Sequence, residues 1–294
     1  MTMNIRPLHP LFVGEVTGLD LTIPMLPEQC TKIHAAMDQY AVLVFHDQNL
    51  SNEQQVDFTR SLGNIENKRG GQLPSKPEDA RLPFEMNDVS NLGKNGKPME
   101  RDSRHRLFNL GNMLWHSDSS FRPIPAKYSL LSARVVNPVG GNTEFAYMPA
   151  AYDDLDDATK AEIDPLICEH SLMVSRGALG LDDFTEVERA LFKPVRQALV
   201  RVHPGHGRKS LYLASHAGAI VGMTTPDARL LLRDLNEHAT QPKYVYVHRW
   251  RQHDLIIWDN RQTMHRVRRY DDQYPRDMRR TTVAGEQMTT AQMP

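Results

Sequence analysis

The segment Trp115-His116-Ser117-Asp118 brings together two types of side chain that bind metal ions. On an extended backbone, residues two apart point to the same face, so His116 and Asp118 can hold one cation between them. A third ligand is available far downstream, where His265 follows a predicted strand in the segment DNRQTMHRVRR. Two imidazoles and one carboxylate form the facial triad that binds Fe(II) and leaves coordination positions open for substrates and O2.

A His-x-Asp pair on its own is weak evidence of a metal site, because a chain with 13 histidines is expected to contain about one by chance. The segment after His265 strengthens the case, since Arg276 and Arg280 lie shortly before the strand-like TTVAG. Arginine binds a carboxylate through two parallel hydrogen bonds, so an arginine beside a metal can hold the far end of a dicarboxylate. The alternative is a solvated basic face or a nucleic-acid patch, formed by Arg266, Arg268, Arg269, Arg276, Arg279 and Arg280.

The composition is that of an ordinary globular protein and excludes several other classes. Of the 294 residues, 40% are hydrophobic and 24% are charged, which allows a core and is unlike a disordered chain. The 35 basic and 36 acidic residues nearly cancel, so no overall field favours nucleic acid or an anionic membrane. Two isolated cysteines, Cys30 and Cys168, indicate no disulfide framework. Without a predicted signal peptide or membrane span, we expect a cytoplasmic protein that has neither nucleic acid nor a membrane as a partner.

The first third of the chain has helical and strand patterns followed by a long polar segment. Apolar residues at helical spacing predict a helix over residues 27–41, and a buried strand over residues 41–45. Ser51 and Gln54 form a capping box, and Gly63 marks the end of the helix that follows. From residue 66 to about residue 106 the chain lacks periodicity. We therefore expect a long, mobile surface loop that acts as a binding lid.

The rest of the chain is rich in predicted strands and is interrupted by helices. Short apolar runs between turn residues predict strands from Leu107 to Phe145. Two helices, one near residues 150–163 and one after Thr225-Pro226, indicate a helical insert over about residues 149–240. Three more strands are predicted in KYVYVHRW, DLIIWD and RRTTVAG. We expect one domain over residues 1–294, mainly β with α insertions, whose core is a double-stranded β-helix (jelly roll) flanked by helices.

Several longer segments resemble one known family in their order and spacing. They are PLHPLF, AVLVFHDQNLSNEQQ, LWHSDSSF, GGNTEF, AAYDDL, GRKSLYLASHA, HATQ, and WDNRQTMHRVRRYD followed by RRTT. Together they span nearly the whole chain and resemble the taurine and 2,4-dichlorophenoxyacetate dioxygenase family. The match is close to the 2,4-dichlorophenoxyacetate branch. The assignment depends on the whole set, because each motif alone would only suggest it.

The resemblance implies a role for each residue that matches the family pattern. It makes His116, Asp118 and His265 the ligands of Fe(II). It makes Thr143 and Arg276 the partners of the far carboxylate of 2-oxoglutarate, the co-substrate.

The resemblance also implies residues around the metal that shape the pocket. Trp258 would line the co-substrate pocket, and Arg280 would contact either the acidic head group of the substrate or the co-substrate. Four further residues are candidates for the substrate pocket, with ordinary surface or supporting residues as the alternative: Asn112, His216, Lys68 and Lys97.

The family activity, carried over to this chain, is hydroxylation of a small carboxylate with O2 and 2-oxoglutarate, which yields succinate and CO2. For an aryloxyalkanoate such as 2,4-dichlorophenoxyacetate, hydroxylation beside the ether oxygen releases a phenol and an oxo acid. The implied partner is a small anionic aromatic substrate, and the resemblance also implies a homo-oligomer. Two alternatives stay open: a sulfonate or alkyl-sulfate dioxygenase of the same fold, and a non-catalytic, metal-binding jelly roll.

Overall fold

The computed structural model describes residues 3–66 and 80–294. Its strands, in chain order, are β1 (Asn4–His9), β2 (Val13–Thr17), β3 (Val42–Phe45), β4 (Asn87–Asp88), β5 (Tyr128–Val135), β6 (Thr143–Tyr147), β7 (Ile167–His170), β8 (Val195–Ala198), β9 (Val200–Val202), β10 (Lys209–Leu211), β11 (Ala217–Ile220), β12 (Val245–His248), β13 (Leu255–Asp259), β14 (Thr263–Val267) and β15 (Asp277–Val283). Its α-helices are α1 (Pro27–Tyr40), α2 (Asn52–Leu62), α3 (Arg104–Asn109), α4 (Met148–Asp153), α5 (Asp157–Ile163), α6 (Leu172–Gly177), α7 (Glu186–Leu191) and α8 (Thr225–Ala239). Short 3-10 helices cover Leu110–Met113, Pro242–Tyr244 and Thr289–Gln292. The protein is therefore rich in strands with helices between them, as the sequence predicts.

The larger sheet has seven strands in the order β1-β2-β3-β13-β5-β15-β4. Near its centre, β3 is apolar on both faces because both faces are covered. Leu43 and Phe45 of β3 pack with residues of α1 and α2, whereas Val42 and Val44 pack with Trp258 in a different core. This alternation follows from the two-residue period of a strand. The sheet consequently has helices on its outer face and a second layer on its inner face.

A three-stranded sheet, β12-β6-β14, forms that second layer. Phe145 and Tyr147 of β6 share the inner core with residues of the larger sheet, and the rings of Phe145 and Trp258 are 5.5 Å apart. Ala146, between them, points the other way and packs in a core that also contains residues of α4 and α8. The two sheets thus enclose one buried layer of side chains.

The first two helices begin and end close to where the sequence predicts. Helix α1 starts at Pro27, and β3 begins two residues after α1 ends. At the start of α2, the Ser51 hydroxyl accepts a hydrogen bond from the Gln54 N–H (3.2 Å), and the Gln54 side chain accepts one from the Ser51 N–H (2.7 Å). Gly63 is the residue at which α2 ends. These boundaries were predictable because the capping residues lie next to each other in the sequence.

Residues 149–240 are not the helical insert that the sequence suggested. The helix predicted over residues 150–163 is split into α4 and α5, because the Asp156 side chain accepts the N–H of Thr159 (2.9 Å) and starts a new helix. The segment also contains β7 to β11, which form the sheets β11-β7-β8 and β10-β9. These strands are three or four residues long, too short to show a clear alternation. Helices and strands pack around a separate apolar core that includes Leu199, Leu211 and Leu235.

The stretch before the metal-binding motif contains helices where strands were predicted. Within residues 107–145, strands are limited to β5 and β6, and α3 begins where the Ser103 hydroxyl accepts the N–H of Arg106 (3.4 Å). Of the loop predicted over residues 66–106, residues 67–79 lie outside the described residues. The remainder is joined to the larger sheet by β4 and by Arg81, which forms ion pairs of 2.7 Å with both Asp88 and Asp277.

Three expectations about the whole chain stay predictions: the single domain, the cytoplasmic location and the homo-oligomeric state. Among the helices of residues 3–66 and 80–294, none is long and apolar enough to cross a membrane. Cys30 and Cys168 are both buried as free thiols.

The buried carboxylate of Asp254 joins β12 to β13 and links stability to pH. It accepts hydrogen bonds from His46 Nδ1 (2.6 Å) and His248 Nε2 (2.9 Å). Burial acts to raise the pKa of Asp254, but the hydrogen bonds from His248 and His46 outweigh burial and hold the pKa at about 2. Because an unfolded aspartate has a pKa of about 3.9, the ionised side chain stabilises the fold fully above roughly pH 4. That stabilisation is lost as the pH falls towards 2.

We expect Asp254→Asn to lower the free energy of unfolding by about 2–3 kcal/mol at neutral pH. The difference from the unsubstituted protein should shrink as the pH falls below about 4. Urea unfolding at a series of pH values measures both effects. Asp57→Asn, on the exposed surface of α2, is the control and should change stability by less than about 0.5 kcal/mol. If the two proteins differed in their free energy of unfolding by the same amount at neutral pH and at the lowest pH of the series, the prediction would be wrong.

Candidate metal centre and adjoining pockets

The two histidines of the predicted metal site lie on neighbouring backbone segments. His265 is in the middle of β14, and the chain at His116 runs antiparallel to it. The His116 N–H donates to the His265 carbonyl (3.0 Å), and the His265 N–H donates to the His116 carbonyl (2.8 Å). Met264 packs in the core beyond the smaller sheet, so the alternation of β14 turns His265 to the layer between the two sheets. Asp118 follows two residues after His116, where the chain enters a turn.

The three predicted ligands meet at one point. The Nε2 atom of His116 lies 3.8 Å from Asp118 Oδ1, and the Nε2 atom of His265 lies 3.7 Å from Asp118 Oδ2. One ligand atom from each side chain lies within 4.8 Å of the others, and all three side chains are buried. Metal bonds to nitrogen and oxygen ligands measure about 2.0–2.2 Å, so one ion fits among these atoms. Two imidazoles and a carboxylate are the donor set that Fe(II) takes in a facial triad.

Hydrogen bonds behind the ligands fix their orientation. His116 Nδ1 is 2.8 Å from the Leu114 carbonyl, so this nitrogen carries the proton and Nε2 is left to bind a metal. Asp118 Oδ2 accepts a hydrogen bond from the Ser129 hydroxyl (2.7 Å), and the Asp118 N–H donates to Asn260 Oδ1 (3.1 Å). The Asn260 amide in turn donates to the Ser129 hydroxyl (3.0 Å). The carboxylate is therefore held from its backbone and from its side chain.

The charges around the triad favour the protonation states that a metal requires. Burial acts to raise the pKa of Asp118, but the Arg280 guanidinium, followed by His265 and His116, outweighs burial and holds the pKa at about 2. Arg280 Nη1 donates directly to Asp118 Oδ1. Burial lowers the pKa of His116 and of His265. The carboxylate is thus ionised and both imidazoles are neutral at pH 7, as metal ligands must be.

Two pockets open onto the triad. The inner pocket has about 360 Å³ of empty space and is lined by Val89, Asn112, His116, Leu131, Thr143, Trp258, His265, Val267, Arg276 and Arg280. The outer pocket has about 580 Å³ and is lined by Asn87, Asp88, Val89, His105, Phe108, Asn109, Asn112, His116, Asp118, Phe121, Leu172, Arg176, His216 and Arg280. Both pockets combine apolar walls with a few polar and charged groups, a lining that is typical of sites for small organic molecules. The pockets share Val89, Asn112, His116 and Arg280, so they adjoin each other beside the metal centre.

The inner pocket brings together the three residues predicted to surround 2-oxoglutarate. Thr143 Oγ1 accepts a hydrogen bond from Trp250 Nε1 (2.9 Å), which leaves the hydroxyl hydrogen of Thr143 available for an anion. Arg276 is 3% exposed, and its Nη1 donates to the Val89 carbonyl (3.0 Å). The Trp258 ring is tilted by 53° to the ring of His265, and the two ring centroids are 4.6 Å apart. None of the ion pairs within residues 3–66 and 80–294 involves Arg276.

Of the other predicted site residues, some line the two pockets and others do not. Asn112 and His216 line the outer pocket, and the His216 ring centroid is 6.0 Å from that of His116. Arg280, on β15, lines both pockets. Lys97 is exposed in a turn and lines neither pocket. Lys68 lies outside the described residues.

Sequence reasoning missed three residues of the site: Ser129, Asn260 and Arg176. Asn260 follows directly after the predicted strand DLIIWD, where a polar residue at a strand end could have drawn notice. Ser129 lies within β5, and Arg176 lies at the end of α6, and neither has a local sequence signal. Both residues reach the site only through contacts between distant parts of the chain.

Comparison with known proteins agrees with this geometry. The profile of the family described as "Taurine catabolism dioxygenase TauD, TfdA family" matches residues 4–282. The chain is 45% identical over 286 residues to the alpha-ketoglutarate-dependent 2,4-dichlorophenoxyacetate dioxygenase of Burkholderia sp. (strain RASC), with 97% of this chain and 95% of the relative covered. It is 35% identical over 304 residues to the (S)-phenoxypropionate/alpha-ketoglutarate-dioxygenase of Delftia acidovorans, with 98% and 97% covered.

Among solved structures, that of AAD-2 in complex with Mn(II) and N-oxalylglycine matches with a TM-score of 0.96 and 65% identity. The match covers 98% of this chain and 100% of that chain. The resemblance seen in the sequence motifs is thereby confirmed. The chain belongs to the TauD, TfdA family of taurine catabolism dioxygenases.

Proposed function

We propose that this protein is an Fe(II)- and 2-oxoglutarate-dependent dioxygenase that hydroxylates a small aryloxyalkanoate such as 2,4-dichlorophenoxyacetate. The observation that carries the proposal is the buried cluster of His116, Asp118 and His265, which opens onto two pockets that each contain a buried arginine. The names of the relatives, 2,4-dichlorophenoxyacetate and phenoxypropionate dioxygenases, support the substrate class. Hydroxylation of the carbon beside the ether oxygen gives a hemiacetal, which collapses to a phenol and an oxo acid, while 2-oxoglutarate and O2 yield succinate and CO2.

The proposed scaffold for this chemistry is a double-stranded β-helix within a single domain. The seven-stranded sheet packs face to face with the sheet β12-β6-β14, and one buried layer of side chains lies between them. This arrangement supports the proposed β-helix. The metal ligands then come from the smaller sheet and from the segment that pairs with β14. The backbone hydrogen bonds between His116 and His265 keep these two ligands rigid, and the hydrogen bond from the Asp118 N–H to Asn260 Oδ1 holds the third.

The three ligands would hold the iron through His116 Nε2, His265 Nε2 and the Asp118 carboxylate. Bound iron would supply the activation of O2 that couples decarboxylation of 2-oxoglutarate to hydroxylation. The protein contributes orientation through Leu114 and Ser129, which hydrogen-bond to the ligands. Burial of the ligands keeps bulk water away from the reacting groups.

The inner pocket is proposed as the site of 2-oxoglutarate. The Arg276 guanidinium and the free hydroxyl hydrogen of Thr143 can both donate to the far carboxylate of the co-substrate. Trp258 would form one wall, with its indole N–H held by Asn260 Oδ1 (3.0 Å). Arg276 is buried and forms no ion pair with the other described residues, so it gains from such an anion, because burying an unpaired charge is costly.

The outer pocket is proposed as the site of the organic substrate. Phe108, Phe121 and Leu172 provide an apolar wall for an aromatic ring, and Asn112 and His216 provide polar contacts. Arg280 is proposed to neutralise the charge of the metal-binding carboxylate while it forms a wall shared by both reactants. The roles suggested for Lys68 and Lys97 stay predictions.

The proposal predicts that an acidic aryl ether stimulates consumption of 2-oxoglutarate. The apo-protein supplied with Fe(II), ascorbate and 2-oxoglutarate should form succinate about tenfold faster or more when phenoxyacetate or 2,4-dichlorophenoxyacetate is added. The physical reason is that substrate in the outer pocket displaces water next to the metal centre and completes the reactive arrangement. Succinate and released phenol, measured together, give the coupling between the two half-reactions.

The same assay separates the alternatives. Stimulation by taurine or alkyl sulfates, but not by aryloxy acids, would assign the chain to a sulfonate or sulfate-ester dioxygenase. Metal binding without stimulation by any small acid would favour a non-catalytic role. Isethionate and benzoate serve as controls for nonspecific effects of a sulfonate and of an aromatic carboxylate.

A further inference from the structure

The outer pocket contains an arginine, Arg176, that has no acidic partner among the described residues. Its side chain comes from α6 and is 5% exposed, and its Nε atom is buried without a hydrogen-bond partner among the described residues. None of the ion pairs formed by residues 3–66 and 80–294 includes Arg176. Arg280, in the same pocket, differs because it is paired with Asp118. Of these two arginines in the outer pocket, Arg280 is paired with a carboxylate, whereas Arg176 has no such pair within the described part of the chain.

The Arg176 guanidinium is held in place by the residues that pack against it, and we call this place its seat. The guanidinium carbon lies 4.5 Å from the centroid of the Phe108 ring, a stacking contact that favours a cation. On another side lies Gly111, where a Cβ atom would be 2.3–2.7 Å from three guanidinium atoms. A residue other than glycine at position 111 would push the guanidinium out of this place. The seat is thus built by an aromatic ring and by the absence of a side chain.

Arg176 is also connected to His216, which lines the same pocket. Arg176 Nη1 donates to the Ser175 hydroxyl oxygen (3.0 Å), and the same oxygen is 2.9 Å from His216 Nδ1. The His216 ring packs edge-on against Phe121 and lies 6.0 Å from the His116 ring, centroid to centroid. Ser175 therefore fixes the positions of an arginine and an imidazole that line the same pocket.

We propose that Arg176 binds the carboxylate of the organic substrate, with His216 as its neighbour in the pocket and Ser175 as a positioning residue. This inference rests on the proposed function. An aryloxyacetate has one carboxylate, separated from an aromatic ring by an ether. The outer pocket offers the Arg176 guanidinium, which forms no ion pair with the other described residues, together with the apolar side chains of Phe121 and Leu172. Arg276 is excluded as the partner of this group because it lines the inner pocket and not the outer one.

The energetic reason is the cost of an unpaired buried charge. Burial lowers the pKa of Arg176 to about 10. The side chain remains charged at neutral pH, so a carboxylate that enters the pocket gains a charge-assisted hydrogen bond in a place shielded from water. The substrate would supply the counter-charge that residues 3–66 and 80–294 do not.

The test compares an acid with its neutral analogue in Arg176→Gln. The substrates are phenoxyacetate and phenoxyacetamide, which differ in charge but hardly in shape. We expect KM for the acid to rise about a hundredfold, while KM for the amide changes little and KM for 2-oxoglutarate is unchanged. The unsubstituted protein should prefer the acid strongly, and the variant should have lost most of that preference. Equal losses for acid and amide, or an unchanged KM for the acid, would overturn the assignment.

A matched control is available in Arg201→Gln. Arg201 is 2% exposed, stacks on Tyr212 with the guanidinium carbon 5.1 Å from the ring centroid, and takes part in no ion pair of the described chain. It lines neither the inner nor the outer pocket. We expect this variant to keep the preference for acid over amide. Loss of the preference in both variants would mean that it depends on the fold and not on a contact with Arg176.

A second variant addresses the possibility that Arg176→Gln does not fold. Gly111→Ala keeps the arginine but places a methyl group against its guanidinium, which is the far end of a flexible side chain and can move. We expect an unchanged melting temperature and a rise of about tenfold in KM for the acid. If the folded Gly111→Ala protein kept its full preference for the acid, the position of the guanidinium beside Gly111 would not be needed to bind the carboxylate.

Direct binding separates this inference from the proposed function. Phenoxyacetate is titrated calorimetrically into protein loaded with Mn(II) and N-oxalylglycine, where no turnover occurs. Binding by the unsubstituted protein that is lost in Arg176→Gln supports the inference even if no aryloxy acid is oxidised. Turnover of aryloxy acids with equal binding by both proteins would refute the inference and leave the proposed function intact.

Discussion

Replacement of His265 by alanine is expected to abolish Mn(II) binding and to reduce substrate-dependent succinate formation to the background rate. His265 supplies one of the three protein ligands, and its Nε2 atom lies 3.7 Å from Asp118 Oδ2. With two ligands left, the protein no longer occupies one face of the octahedron. The loss should exceed the roughly 10–100-fold effect that is typical when only a hydrogen-bond partner of a ligand is removed. Ser129→Ala provides that comparison, because the Ser129 hydroxyl donates to Asp118 Oδ2 (2.7 Å).

The control for the loss of a buried imidazole is His203→Ala. His203 is fully buried and lies 3.0 Å from the carboxylate of Asp259, but it lines neither pocket of the metal centre. This variant is expected to lose stability and to keep its affinity for Mn(II). Calorimetric titration with Mn(II) and circular dichroism give the two readouts. If His265→Ala bound Mn(II) as tightly as the unsubstituted protein, the metal centre would be wrongly assigned. If it failed to fold, the histidine would have a structural role.

The metal ligands could be predicted from the sequence because their chemistry is visible in residue type and close spacing. His116 and Asp118 are two residues apart, and the motifs on either side, together with those around His265, resemble one family. The capping box at Ser51 was similarly local, and α2 begins where it predicts. Features of this kind depend on neighbours in the chain, so the sequence alone was sufficient.

Features that depend on contacts between distant segments were missed. The segment TMHRV forms β14 because it pairs with β6, and five residues with little alternation did not indicate a strand. The strands β7 to β11 are shorter still. The Arg176 guanidinium occupies the space that a side chain at Gly111 would fill. A sequence motif does not indicate that a glycine has this role. The pairing of Arg280 with Asp118 likewise depends on the register between β5 and β15.

Arg276→Ala is expected to raise KM for 2-oxoglutarate about a hundredfold and to leave KM for the aryloxy acid nearly unchanged. Arg276 is 3% exposed in the inner pocket, and removing one partner of a buried, hydrogen-bonded charge pair costs about 2–5 kcal/mol. Arg276→Lys keeps the charge but loses the planar fork, so its KM should lie between those of the other two proteins. Initial rates over a range of 2-oxoglutarate concentrations, at saturating substrate, give these values. A larger effect on the aryloxy acid than on 2-oxoglutarate would exchange the proposed occupants of the two pockets.

Thr143→Ala tests whether the two proposed partners of 2-oxoglutarate contact the same carboxylate. Its Oγ1 already accepts the indole N–H of Trp250 (2.9 Å), so only the hydroxyl hydrogen is available to the co-substrate. The single substitution should therefore raise KM by less than Arg276→Ala does, because it removes a neutral donor and leaves the charge in place. Residues that share one partner group have effects that do not add. The fold-increase in KM of the double variant should consequently be smaller than the product of the fold-increases of the two single variants. A fold-increase equal to that product would mean that Thr143 and Arg276 contact different groups of the co-substrate.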